Sequence, residues 1–227
     1  MEHKITKIFL IFSICTLMAF ASEKEVELEC VFKDDHTCVA KKELFDGKNR
    51  MKFTKLKTAF PKSGKKAEDV NSFIVEENAK IVYIPNGVHD IFKNITKLTF
   101  TKSGLIHLAE NDFKDFDKLD QLYLDENNIT EVPAKIFDKN IKLVEIYLNK
   151  NKIIKIDPHV FDKLTELKKL LLDSKICDIS ADTNATSKDL VDRIKDDLLK
   201  SKCKNGGSIL YLNTIILSLI ALLTLKI

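Results

Sequence analysis

The side chains able to do chemistry in this sequence are scattered. The 227 residues include His3, His36, His89, His107 and His159. None of these stands at the H-x3-H or H-E-x-x-H spacing that sets two imidazoles on one helix face around a metal. No G-x-S-x-G elbow presents a nucleophilic serine, and no phosphate- or dinucleotide-binding glycine loop occurs. No residue is therefore assigned as catalytic, metal-ligating or cofactor-binding. Carboxylates are plentiful, 34 Asp and Glu against 37 Lys and Arg. A hydrolase using a distant carboxylate pair stays open as an alternative, although most such groups simply solvate a surface.

Cysteine and asparagine carry more information. Apart from Cys15, the chain has Cys30, Cys38, Cys177 and Cys203, an even set that suits disulfides in an oxidising compartment. Zinc would require closer spacings such as C-x2-C. Four cysteines allow three pairings, and the closest in sequence is Cys30–Cys38 with Cys177–Cys203, one bridge at each end. Asn94, Asn128 and Asn184 each open an N-x-[ST] sequon and are expected to accept glycans in that compartment.

The ends of the chain point to the same compartment. Residues 1–21 have Lys4 and Lys7, an apolar run from Ile8 to Phe20, and Ala19-Phe20-Ala21, the pattern of a cleaved signal peptide. At the other end, Ile209–Leu225 is an apolar run of 17 residues. As a helix it would reach about 25 Å, short of a hydrocarbon core of about 30 Å. It follows Asn205-Gly206-Gly207-Ser208 and is followed only by Lys226-Ile227. Residues 205–227 therefore read as a glycosylphosphatidylinositol (GPI) attachment signal with the lipid on Asn205, or alternatively as a single membrane span. The net charge of +3 gives no case for nucleic-acid binding. The local exception is Gly47–Lys66, with eight basic residues and no acid. That run is expected to be a solvated loop, with a sulfated glycan or anionic lipid as the sharper alternative.

The elements that would position such groups follow from an internal repeat. Leu119-x-x-Leu122-x-Leu124-x-x-Asn127-x-Ile129 recurs 24 residues later as Leu143-x-x-Ile146-x-Leu148-x-x-Asn151-x-Ile153. It recurs backward from Ile95, with Ser103 in place of the Asn, and forward from Leu167, with Lys175 there. Phe113, Phe137 and Phe161 keep the same step, and a fainter unit begins at Val70. A unit of this length cannot bury its own apolar face, so neighbouring units must stack.

The pattern over 70–177 resembles the extracellular leucine-rich repeat family. The overall layout is similar to that of small secreted or GPI-anchored insect members with a disulfide-bearing cap at each end. The resemblance implies an α/β solenoid with a parallel sheet on its concave face. Residues 22–69 are then an N-terminal cap with a disulfide hairpin and a basic loop, and 178–204 a C-terminal cap. Leu190, Ile194 and Leu198 lie four apart and predict that cap to be an amphipathic helix near Ser187–Lys202.

Alternation along each repeat strand turns its leucines inward and the residues between them outward. The central outward column is Ile74, Thr99, Tyr123, Tyr147 and Leu171, with Ser72, Lys97, Gln121, Glu145 and Lys169 on one flank and Glu76, Thr101, Asp125, Asn149 and Asp173 on the other. Tyrosines exposed in a line suit a protein contact, since each offers a large area and one polar tip. The expectation is a non-enzymatic, surface-tethered protein, without a cofactor, that binds an extracellular protein or glycoprotein on this face. A coat protein with no discrete ligand is the bland alternative.

Overall fold

The computed structural model describes residues 23–34, 36–60, 64–173, 178–182 and 187–199. The leader, the C-terminal tail, Cys177, Cys203, Asn184 and Asn205 lie outside the described residues.

Each repeat contributes one short strand, because its alternating pattern lasts only three to five residues before the chain must turn. These strands are β5 (Ser72–Val75), β6 (Lys97–Thr99), β7 (Gln121–Tyr123), β9 (Glu145–Tyr147) and β11 (Lys169–Asp173). They pair in parallel so that Ile74, Thr99, Tyr123, Tyr147 and Leu171 stand side by side, each one repeat from the next. Two caps extend this to an eight-stranded sheet. The first is an antiparallel hairpin of β2 (Cys30–Phe32) and β3 (Thr37–Ala40), clamped by the Cys30–Cys38 disulfide. The last strand is β12 (Asp178–Asp182), antiparallel to β11. The C-terminal cap is thus a strand as well as the expected helix. That helix, α1 (Ser187–Leu199), buries Leu190, Val191, Ile194 and Leu198.

Two asparagine positions explain how coils this tight keep their interior polar groups satisfied. Asn127 is buried, and its side chain makes six hydrogen bonds to the backbone and accepts a seventh from the Ser103 hydroxyl at 3.4 Å. Its Oδ1 accepts from the backbone N–H of Ser103, Gly104 and Leu105, at 3.0–3.1 Å. Its Nδ2 donates to the carbonyls of Phe100, Leu124 and Asp125, at 2.7–3.1 Å. Asn151 repeats the arrangement one coil on, accepting from Ile129 and donating to Leu124, Leu148 and Asn149. Ser103 keeps part of the ladder, its hydroxyl donating to Phe100 at 2.7 Å. The residue before each of these positions takes a left-handed backbone: Lys102, Glu126 and Lys150 have φ between 51° and 56°. That conformation bends the chain out of the strand. The exposed side chains there pair between coils, Lys102 with Glu77 and Lys150 with Glu126.

Behind the sheet, Phe113, Phe137 and Phe161 are buried and stack at 6.1 and 5.9 Å, nearly parallel. Asn140 is fully buried beside them and donates to the carbonyls of Phe113 and Phe116.

The basic run departs from its expected form. Arg50–Leu56 is not loop but a strand, β4, which pairs in parallel with β1 (Glu23–Leu28). Met51 and Phe53 are buried beneath it, while its lysines meet the carboxylates at the edge of β1 and just beyond: Lys52–Glu25, Lys55–Glu27 and Lys57–Glu29, at 2.6–3.1 Å. Arg50 turns inward to Asp112, at 2.6 Å, and donates to the Ile84 carbonyl. Local acids therefore neutralise most of the strand's charge, which removes support for an anionic-glycan site there. The segment after β4 also covers the outer edge of β2: Thr58 Oγ1 accepts from the Cys30 N–H, and the Phe60 ring lies 4.8 Å from that of Phe32. A covered edge cannot recruit a foreign strand.

Candidate functional site

The centre of the sheet face is a stack of four side chains. The Tyr123 and Tyr147 rings lie 4.5 Å apart and 14° from parallel. Lys97 Nζ sits 4.7 Å from the centre of the Tyr123 ring, and Lys169 Nζ sits 5.5 Å from that of Tyr147. Each ammonium thus caps one outer face of the aromatic pair, an arrangement attractive through the ring quadrupole. Glu145 locks the pair from the flank: its Oε2 accepts from the Tyr123 hydroxyl at 3.1 Å and from the Tyr147 hydroxyl at 3.4 Å.

The register of β6, β7, β9 and β11 produces this directly. Outward residues on adjacent parallel strands stand about 4.8 Å apart, close to ring-stacking distance, and Glu145 lies two residues before Tyr147 on the same strand face. Burial, and the hydrogen bond its hydroxyl donates to Glu145, raise the Tyr123 pKa above the ordinary phenol value of 10.0. Burial likewise raises that of Asp120, at the foot of the stack, with Glu145 adding to the effect. The Tyr123 phenol is therefore held as a neutral hydrogen-bond donor.

All the sequence-derived face residues lie where alternation puts them. Thr99, Tyr123, Tyr147 and Leu171 form the central column, half-buried because they pack on one another. Gln121 and Glu145 line one flank, and Asp125 and Asn149 the other. Asp125 accepts from the Thr101 hydroxyl at 2.9 Å. The register also extends the column beyond the repeats, through Val39 to Val31, which is 48% exposed at the hairpin edge. The two described sequons sit beside the sheet. Asn94, just before β6, donates to the Glu68 carbonyl and accepts from Lys118. Asn128 is half-buried next to Asn127.

Sequence reasoning put Lys97 and Lys169 on the flank of this face but did not single them out as partner-binding residues. Their signal was available, since Lys97 and Lys169 occupy the same flank position on either side of the tyrosine-bearing coils. It also missed a polar groove of about 330 Å³ away from the sheet, lined by Arg50, Asn86, His89, Asp112, Lys114 and Phe116 among others. That groove has cations and acids intermixed, with the Arg50–Asp112 pair in its wall. Among the described residues, no three His, Cys, Asp or Glu side chains are placed to hold a metal.

Residues 117–175, which carry most of the stack, match a family model described as leucine rich repeat. The fold around them is a leucine-rich repeat solenoid. Its sheet is the extended concave surface that such solenoids offer to other proteins. No curated protein matches the chain. Solved structures do, among them the Toll–Spatzle complex, described as a molecular hub in Drosophila development and innate immunity. That match has 16% identity and a TM-score of 0.40, and covers 58% of this chain and 21% of the other. The chain therefore spans about a fifth of that neighbour's length.

Proposed function

We propose that this leucine-rich repeat protein is a non-enzymatic extracellular binding protein that docks a protein or glycoprotein partner on its concave sheet. The observation that carries the reading is the Lys97–Tyr123–Tyr147–Lys169 stack held by Glu145. Two tyrosines stacked on each other and bonded to one carboxylate have little rotamer freedom left to lose. A pre-ordered aromatic patch binds with a smaller entropic cost than a mobile one. The Cys30–Cys38 disulfide supports an oxidising, extracellular setting.

The tether belongs to the same proposal. The small residues at Asn205-Gly206-Gly207 and the apolar run after them support a GPI anchor on Asn205. Glycans on Asn94, Asn128 and Asn184, and a second bridge between Cys177 and Cys203, complete the picture of a surface protein. In animal cells, phosphatidylinositol-specific phospholipase C should release the protein without Ile209–Ile227. A surface form that resists the enzyme and keeps those residues is membrane-spanning instead. Proximity labelling of the anchored protein tests the docking role: one protein neighbour should dominate. A neighbourhood indistinguishable from bulk surface protein fits a coat without a ligand and contradicts the proposal.

A further inference from the structure

The concave face is acidic on a chain that is not, and we infer that the partner it fits is a basic protein segment carrying an apolar ridge. The inference rests on the docking reading above and narrows it. The whole chain has a net charge of +3. From β7 to β12 the outward flanks instead carry Asp125, Glu145, Asp173, Asp178 and Asp182 against Lys169. On β5 and β6, Glu76 and Lys97 offset each other, so the excess lies in the half of the face that holds the tyrosines.

Internal hydrogen bonds leave that charge in place. Asp125 accepts from the Thr101 hydroxyl, Glu145 from the two tyrosine hydroxyls, and Asp173 from the Lys150 backbone N–H. These donors are neutral, so they orient the carboxylates without cancelling them. An ionised carboxylate has about four lone-pair sites, more than any of the three uses in these bonds. The field is felt within the face as well: burial raises the Asp120 pKa, and the Glu145 charge adds to that rise.

The column decides where each part of the partner goes. Tyr123 and Tyr147 cover one face of each other's ring, and Lys97 and Lys169 cover the outer two. A partner's cation therefore has no open ring face to sit on. What the column turns outward is ring edge and aliphatic side chain, from Ile74 to Leu171, and that takes an apolar ridge. Cations are left to the flank of Asp125, Asn149 and Asp173, which stand on adjacent strands about 4.8 Å apart. Asn149 Oδ1 is shielded there and has no hydrogen-bond donor. With its amide turned outward, an ammonium or guanidinium entering the row bridges it to a neighbouring carboxylate, through bonds of the strong, charge-assisted kind. The same row repels an acidic surface, which gives the face its selectivity.

The test uses two synthetic helical peptides with the same leucine stripe, one edged with Lys and the other with Glu, since an amphipathic helix presents an apolar ridge with charged edges. Each is titrated by fluorescence anisotropy against the full chain purified from animal cells. The Lys peptide should bind at least tenfold more tightly than the Glu peptide, and its binding should weaken as salt rises. Asp125→Lys with Asp173→Lys should weaken it at least tenfold. Asp125→Asn with Asp173→Asn, which keeps the shape and removes the charge, should weaken it at least threefold with unfolding temperature unchanged. Tyr123→Ser with Tyr147→Ser should also weaken it, whereas Asp138→Lys on the far side, beside Lys163, should not. No binding of either peptide, equal binding of both, or an equal loss in Asp138→Lys overturns the inference. If it is overturned while the dominant surface neighbour found by proximity labelling is still lost with the tyrosines, the basic partner falls and the docking role stands.

Discussion

Asn127 shows how much one side chain does when its position is fixed by the repeat. Replacing it with Leu leaves the Ser103, Gly104 and Leu105 N–H groups without their acceptor, and removes one donor each from the Phe100, Leu124 and Asp125 carbonyls, which keep those from Ser103, Asn151 and Lys102. Asn127→Leu should cost about 3–5 kcal/mol in chemical unfolding, because buried groups forfeit their full desolvation. Asn128→Gln, one residue on, should cost under about 0.5 kcal/mol, as a surface change does. Equal losses would contradict the register. A second residue-scale prediction concerns acid. Asp46 caps its own turn, accepting from the Asn49 and Lys48 N–H groups, the Asn49 amide and Lys24. Those bonds, that from the Asn49 backbone foremost, hold its pKa well below the ordinary 3.8. A depressed carboxyl contributes stability above its unfolded value and loses it as pH falls toward the folded one. Wild type should therefore be more stable than Asp46→Asn at pH 6, and the two melting curves should converge below about pH 4. A constant gap from pH 7 to pH 2 would contradict this. The Asn ladder was legible in the sequence because its period is that of the leucines. Asn140 was overlooked, although it replaces an apolar residue in the column that otherwise holds Phe116 and Leu164. A polar residue in a buried column is the signal that finds it.

At the scale of elements, the caps carry the constraints. Gly87, at φ +81°, packs against β4 so closely that a Cβ would stand 2.0 Å from the Phe53 carbonyl oxygen. That oxygen and its neighbours belong to the short parallel contact in which Phe53 donates to Asn86 and Asn86 donates to Met51. Gly87→Ala should destabilise by about 2–4 kcal/mol, since both the left-handed backbone and the contact are lost. Gly64→Ala, with nothing within 4 Å, should cost about 1 kcal/mol from its backbone alone. Thermal unfolding that ranks the two alike would contradict the packing of β4. This strand is also where sequence reading fell short. A run of eight cations within residues 47–66 suggests repulsion and therefore loop. The folded chain instead sets it against Glu25, Glu27 and Glu29, which alternate about 28 residues upstream. The alternating acids of β1 are a strand signal, but their partner could be named only once parallel pairing had brought the two together. The Arg50–Asp112 pair, 62 residues apart, left no local trace at all.

For the whole molecule, the repeat fixes more than the fold. Because every coil advances the same outward position, the solenoid turns a spacing of 24 in the sequence into one column of side chains on one face. That is why the tyrosine column and both flanks were legible before any coordinates. What the spacing could not give was the order within the column: the ring stacking, the two lysine caps and the shared Glu145. Those arise from side chains settling against one another, and they convert a row of residues into a pre-ordered patch. The claim that this patch is where the protein works is tested by surface proximity labelling of the Tyr123→Ser/Tyr147→Ser variant beside wild type at matched surface levels. A parallel control alters the far side at Lys163→Ser, which gives up only an exposed pair with Asp138. The dominant labelled partner should vanish with the tyrosines and persist in the control. Retention of that partner when both tyrosines are gone would contradict the account.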